Sequence, residues 1–133
     1  MTKAGDTFLL QDHKTGSRHL YVVISDPSQS SNEIFIGMIS SYEQSYERYK
    51  EECCLLRVGD HPFIKHDSVV VYKIPPADLV SQSTLDQWQS ADILKPKPPV
   101  EASVLKRIQQ GYVHSRYQTD RIYQLLCRQK FID

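Results

Sequence analysis

The first half of the chain is a succession of short apolar runs, each closed by turn-forming residues, and that texture specifies a sheet rather than a helical bundle. Thr7 to Leu10 follows the Gly5-Asp6 turn. Leu20 to Ser25 holds Tyr-Val-Val-Ile and ends at Asp26-Pro27, and Glu33 to Ser40 holds Ile-Phe-Ile-Gly-Met-Ile. Cys53 to Val58 ends at Gly59-Asp60, and Ser68 to Tyr72 holds Val-Val-Val. Five strands with short connections predict a small, strongly curled barrel. Gly37, inside the third run, fits the bulge or sharp bend that closing such a barrel requires.

Two connections stand out. Asp26 to Asn32 is a polar loop of hairpin-tip composition. Between Ser41 and Glu52, Tyr42, Tyr46 and Tyr49 recur at helical spacing with Glu43 and Glu47 one turn apart, which predicts a short amphipathic helix over the barrel mouth. Tyrosines interleaved with Arg48 and Lys50 are also a base-stacking pattern, but the glutamates around them repel phosphate.

After Tyr72 the texture changes. Pro75-Pro76 ends the sheet, Ala77 to Val80 reads as one helical turn, and Ser83-Thr-Leu-Asp86 has capping-box spacing for a short helix to about Ala91. Lys95-Pro-Lys-Pro-Pro99 has the composition of a stiff linker. It divides a body, residues 1–94, from a tail, residues 100–133. In the tail Val104, Leu105 and Ile108 line one helix that stops at Gly111. Ile122, Leu125 and Leu126 line a second that starts near Thr119-Asp120. The expected class is therefore mainly β (β+α), a five-stranded curled barrel with a C-terminal helical hairpin. Neither tail helix buries its apolar face alone, so the pair must dock on the body, on another subunit or on a partner.

Charge follows the same division. Residues 1–94 hold 8 Lys/Arg against 13 Asp/Glu, and residues 95–133 hold 8 against 3, so an acidic body carries a basic tail. A nucleic acid would need the tail, a dimer groove or a local patch, whereas tail and body also attract each other. Cys53, Cys54 and Cys127 are odd in number, and the adjacent pair is badly placed for mutual bonding, which points to a reducing compartment. Met1 to Leu20 lacks an apolar stretch of signal-peptide length, and no segment approaches the ~18 apolar residues of a membrane span. The expectation is a cytoplasmic protein without membrane contact.

The densest polar cluster is Gly59-Asp-His-Pro-Phe-Ile-Lys-His-Asp-Ser68. His61 and His66 suit base and acid in attack of an RNA 2′-hydroxyl on its own phosphate, with Lys65 neutralising developing charge and Asp60 in the binding shell. The alternative is architectural: Asp60 and His61 satisfy loop backbone groups, Pro62 fixes the turn, and Phe63 and Ile64 pin it. His61 and His66 lie five apart in a proline-containing loop, so no metal site and no cofactor are expected. The chain has no G-x-S-x-G elbow, H-E-x-x-H helix or glycine-rich phosphate loop.

Gly5-Asp6 opening a strand, Arg18 before Tyr21-Val-Val-Ile-Ser25, Ile34-Phe-Ile-Gly-Met-Ile-Ser-Ser41, and Ser68-Val-Val-Val-Tyr72 followed by Pro76-Ala-Asp-Leu79 together resemble the PemK/MazF toxin family. The chain also looks like a set of uncharacterised bacterial proteins carrying the same Gly-Asp-His-Pro-Phe-Ile-x-His loop. The resemblance implies an SH3-like barrel, a homodimer, an antitoxin partner and metal-independent RNA cleavage. It assigns phosphate stabilisation or proton donation to Arg18, and holding of the scissile region to Ser40 or Ser41, with His19 beside them. The family usually shows Arg-Pro and Thr-Ser where this chain has Arg18-His19 and Ser40-Ser41.

Three functions compete. A toxin-type endoribonuclease requires Arg18, Ser40, His61 and His66 around one groove. A non-catalytic module that binds protein or nucleic acid leaves those residues scattered. An antitoxin-like or immunity-like role has the acidic body masking a basic partner.

Overall fold

The computed structural model describes residues 2–11, 16–27, 32–42, 50–73 and 78–133. Strands β1 (Thr7–Gln11) and β2 (Arg18–Val23) form an antiparallel hairpin in which Thr7 faces Val22 and Gln11 faces Arg18. Strand β3 (Glu33–Ser41) is the axis of the sheet. One edge pairs with β2, from Leu20↔Ile39 to Val23↔Ile36. The other is shared by β5 (Ser68–Val71), opposite Met38 to Ser41, and β6 (Leu79–Ser81), opposite Glu33 to Phe35. Strand β4 (Leu55–Leu56) lies outside β5, and β7 (Leu94–Lys97) lies outside β1.

The result is a mainly antiparallel seven-stranded sheet with three helices, and the sheet is open. The apolar runs predict only five strands. β4 keeps two residues of the expected Cys53–Val58 run, and β6 and β7 are additional. Leu79–Ser81 is a strand where the sequence pattern suggests a helical turn, because Val80 pairs with Ile34 and buries its side chain. The proline-rich segment with linker composition is an edge strand as far as Lys97. Pro96 is tolerated there because an edge strand does not need every backbone donor. The helix expected over Tyr42–Tyr49 and the Asp26–Asn32 loop fall largely outside the described residues.

Both faces of the sheet are covered, which explains why Tyr21-Val-Val-Ile24 is continuously apolar rather than alternating. Leu20, Val22, Ile24, Phe35 and Ile39 point to one face, Tyr21, Val23, Ile34 and Ile36 to the other. The first face is covered by the tail: α2 (Ala102–Gly111), a 3-10 turn (Tyr112–His114) and α3 (Asp120–Arg128) contribute Val104, Ile108, Tyr112, Ile122, Leu125 and Leu126 to one core with the strands. The second is covered by α1 (Gln82–Ser90), through Leu85 and Trp88. The tail helices fall where hydrophobic spacing put them, and Thr119 Oγ1 caps α3 by accepting from Ile122 N–H at 3.3 Å. The α1 cap is Ser81 rather than Ser83, with Ser81 Oγ accepting from Thr84 N–H at 3.1 Å. Two ion pairs, Arg107–Asp60 and Arg121–Glu33, each 2.6 Å, join basic tail to acidic body.

Two glycines set the packing distance on the first face. Gly37 keeps regular register opposite Val22 rather than forming a bulge; a Cβ there would come within 2.9 Å of Ile24 Cδ1 and 3.2 Å of Val70 Cγ1. Gly111 ends α2 against the strand-side backbone, where a Cβ would meet Tyr72 Oη at 2.5 Å, Cys53 O at 2.8 Å and Cys54 Cβ at 2.9 Å. Tyr72 Oη in turn donates to Ile108 O at 2.6 Å. Helix propensity alone would make Gly111→Ala stabilising by ~1 kcal/mol. The close approach reverses that sign: urea titration should show Gly111→Ala less stable than the parent by about 2–3 kcal/mol.

Candidate functional site

The strand register decides which candidate residues share a location. Arg18 is exposed and faces Gln11, and Ser41 faces Ser68, which also faces Leu56. Leu20↔Ile39 is the last pair of β2 with β3; His19 and Arg18 on β2 and Ser40 and Ser41 on β3 lie beyond it toward the same end of the sheet, where β2 goes on pairing with β1 and β3 with β5. The loop carrying Lys65 and His66 runs into Asp67, whose carbonyl accepts from Tyr42 N–H at 2.9 Å just beyond Ser41. Arg18, His19, Ser40, Ser41, Lys65 and His66 therefore collect at one end of the sheet. Arg57, which carries no motif of its own in the sequence, joins them because it directly follows β4 there.

Cations and carboxylates are interspersed at this end, where exposed Asp67 follows His66 and exposed Glu52 accepts from Tyr42 Oη beside Ser41. Arg18, Arg57, Lys65 and His66 are exposed, and the three full cations make no ion pair among the described residues. On β3, Ser40 is 3% exposed, and its hydroxyl has no hydrogen-bond partner among the described residues. An orphaned buried hydroxyl costs about 1–3 kcal/mol.

His61 and Asp60 go elsewhere. His61 is 2% exposed. Phe63 N–H donates to its Nδ1 at 3.1 Å, so Nε2 carries the ring proton and donates to Pro98 O at 2.7 Å. Thr7 Oγ1 lies 3.0 Å from Nε2 and donates to the same carbonyl at 2.7 Å. Both ring nitrogens are thus engaged within the protein. Thr7 sits four residues along β1 from Gln11, the partner of Arg18, a strand distance of ~13 Å. His61 is thus held at the Thr7 end of β1, while Arg18 pairs with its other end at Gln11. Asp60 closes its own turn, accepting from Arg57 N–H at 2.8 Å, and receives Arg107 Nη2 at 2.6 Å. Ile64 is buried in the core, while Phe63 is partly exposed beneath the Lys97 ammonium, 4.7 Å from its ring centroid.

A second buried polar node lies at Glu51. Its carboxylate accepts from Ser115 Oγ at 2.8 Å, Cys53 Sγ at 3.0 Å and Arg116 N–H at 3.3 Å, fixing the approach to β4 against the tail. Burial first, then the bond to Glu51 and its charge, push the Cys53 thiol up to about 12; burial pushes Cys54 up to about 11. Burial also raises Tyr72. These are unreactive packing thiols rather than nucleophiles. Among the described residues no group of three His, Cys, Asp or Glu converges as a metal-ligand set, and no helix is long and apolar enough to cross a membrane.

Comparison with protein-family models, with curated proteins and with solved structures finds no match to this chain. The PemK/MazF likeness accordingly rests on its sequence motifs.

Two outcomes follow from this geometry. His61→Ala removes the donor to Pro98 O and the acceptor for Phe63 N–H, so thermal and urea unfolding should show a loss of about 2–4 kcal/mol, with His66→Ala within ~0.5 kcal/mol of the parent. The raised thiols hold their protons more tightly in the fold than at the ordinary value of 9.0. Their contribution to stability is therefore complete below pH 9 and is lost as pH rises from there toward 12. Urea midpoints in reducing buffer between about pH 8 and 11 should fall less steeply for Cys53→Ser/Cys54→Ser than for the parent.

Proposed function

We propose that the chain is an RNA-interaction module of the PemK/MazF type, contacting single-stranded RNA at the sheet end formed by Arg18, Arg57, Lys65 and His66. The observation that carries the reading is the set of exposed cations at that end, unpaired among the described residues, in a body whose sequence is otherwise acidic. Phosphate contacts of this kind supply most sequence-independent affinity and position an RNA without base readout. In the tail, Arg107 and Arg121 are already paired with Asp60 and Glu33, whereas Lys106, Arg128 and Lys130 are exposed and make no ion pair among the described residues, so the tail stands as the alternative contact for RNA. A homodimer would extend the contact surface, and an antitoxin-type protein would act by covering that end.

Binding is favoured over histidine-pair cleavage because both His61 nitrogens are engaged within the protein. A second reading, metal-independent cleavage at the same end, is supported by one observation: Arg18-His19 and Ser40-Ser41 both lie past the last β2–β3 pair, toward the same end of two neighbouring strands. Arg18 would then stabilise the phosphorane charge, and His66 would be the remaining loop histidine for proton transfer.

One experiment separates these readings. A labelled mixed-sequence RNA is titrated by fluorescence anisotropy at several salt concentrations, then incubated without metal and its ends mapped. The expected result is binding that weakens about 3–10-fold in each of Arg18→Ala and Lys65→Ala, with no new ends. The slope of log affinity against log salt should become shallower by ~0.7 in each variant, because one fewer phosphate is neutralised. New 2′,3′-cyclic phosphate ends that vanish in Arg18→Ala would replace the module reading with the nuclease. A folded protein that binds no RNA at about 50 mM salt would overturn both.

A further inference from the structure

We propose that the groove between α1 and the β1–β7 edge is a binding site for a small organic cation, an ammonium or guanidinium head on a short apolar stem. The groove has a volume of about 290 Å³, at the lower end of the range for small-ligand sites. Its floor is made by the accessible edges of Phe8, Leu85 and Leu94 of the second core. One wall is a single helical stripe: Gln82, Asp86 and Gln89 recur at i, i+4 and i+7 beside Leu85. The opposite wall carries Asp6 at the turn into β1.

The charge of this lining selects the ligand. Asp6 uses one oxygen to accept from Lys3 N–H at 3.1 Å, and Asp86 uses one to accept from Gln82 Nε2 at 3.0 Å. Neither carboxylate has an ion-pair partner among the described residues. Lys97 also lines the groove, but its ammonium is directed over the Phe63 ring at the seam. Two carboxylates over an apolar floor therefore face one cavity, and a cation with an apolar stem satisfies both parts of it. Gln89, on the same stripe, offers amide groups to fix a second polar end.

The short, proline-containing edge beside the groove decides between a free molecule and a peptide. β7 has four residues and includes Pro96, which removes a backbone donor that an added peptide strand would use. The site is also separate from the proposed RNA end. Val23 and Arg18 are opposite ends of β2, ~17 Å apart along the strand, so either assignment stands or fails without the other.

The test is an amide NMR titration of the whole chain with 1,4-diaminobutane, with butane-1,4-diol as the uncharged isostere and N-acetyl-arginine amide as the peptide-borne form of the same chemistry. The diamine should give saturable shifts centred on Phe8, Leu85 and Gln89, at least about tenfold tighter than the diol. Asp6→Asn/Asp86→Asn, which keeps the acceptors to Lys3 N–H and Gln82, should weaken diamine binding about five- to tenfold, while Arg18→Ala leaves it unchanged. Equal binding of diol and diamine, shifts that do not saturate, or shifts spread over the acidic surface would overturn the site. Tighter binding of N-acetyl-arginine amide than of any free diamine tested would overturn the free-cation assignment and give the groove to an arginine of a partner protein.

Discussion

The fold depends on how an open sheet is kept curled without a closing ladder. β4 and β7 are the two edges of the main path, and no backbone hydrogen bonds join them. The join is made by the loop that leaves β4: His61 donates to Pro98 O just past β7 and contacts Thr7 on β1, Phe63 lies under the Lys97 ammonium, and Ile64 enters the core between them. A ring nitrogen buried against a carbonyl in low dielectric is a stronger and more directional link than the same pair in water. The Phe63 N–H on the other nitrogen fixes which tautomer makes it. The residue that looks most like a catalytic base is the one the architecture has least freedom to release.

With the edges held, the tail becomes part of the body. Tyr72, Tyr112 and Phe35 meet in one aromatic cluster, Phe35–Tyr112 at 5.1 Å and Tyr72–Tyr112 at 5.5 Å between ring centroids, both near-perpendicular. Ile108 and Leu126 are fully buried, and truncating either would cost on the order of 2–5 kcal/mol, a large fraction of the stability of a domain this size. Gly111 permits the contact by letting α2 approach the Cys53–Cys54 backbone, and Glu51 with Ser115 adds a polar tie beyond it. Removing residues 100–133 would therefore uncover one whole face of the sheet rather than detach an appendage.

What was legible in the sequence were the elements whose signal is local. β1, β2, β3 and β5 are apolar runs bounded by turns, and α2 and α3 have an apolar stripe with a stop at Gly111 or a cap at Thr119. β4 was read as a strand but is shorter than its apolar run, and β6 and β7 were misread because they are three to four residues long and exist by pairing with strands distant in sequence; Lys-Pro-Lys carries no strand signal of its own. The site divided in the same way. Arg18 and Ser40-Ser41 lie toward one end of the sheet because β2 and β3 are antiparallel neighbours, which the hairpin order already suggests. His61 and Asp60 are held by Pro98, Thr7 and Arg107, contacts between 37 and 54 residues apart that no local pattern encodes. Thr7 was the available hint: a hydroxyl on the inward side of an otherwise apolar strand needs a partner.

The same hairpin carries opposite electrostatic character at its two ends. Exposed Arg18 begins β2 opposite Gln11, and the carboxylates of Asp6 and Asp86 line the groove at the other end, where β1 begins and β2 ends. The strand length between them, ~17 Å, exceeds the screening length of about 8 Å at physiological ionic strength, so charge at one end does little to ligand affinity at the other. Coupling would have to pass through the packed strands, and β2 is buried on both faces with Val22 and Val23 wholly inaccessible, which leaves it little room for a second arrangement. If both proposed sites bind as argued, a rigid strand between them would let an anion at one end and a cation at the other bind without competition and without mutual assistance.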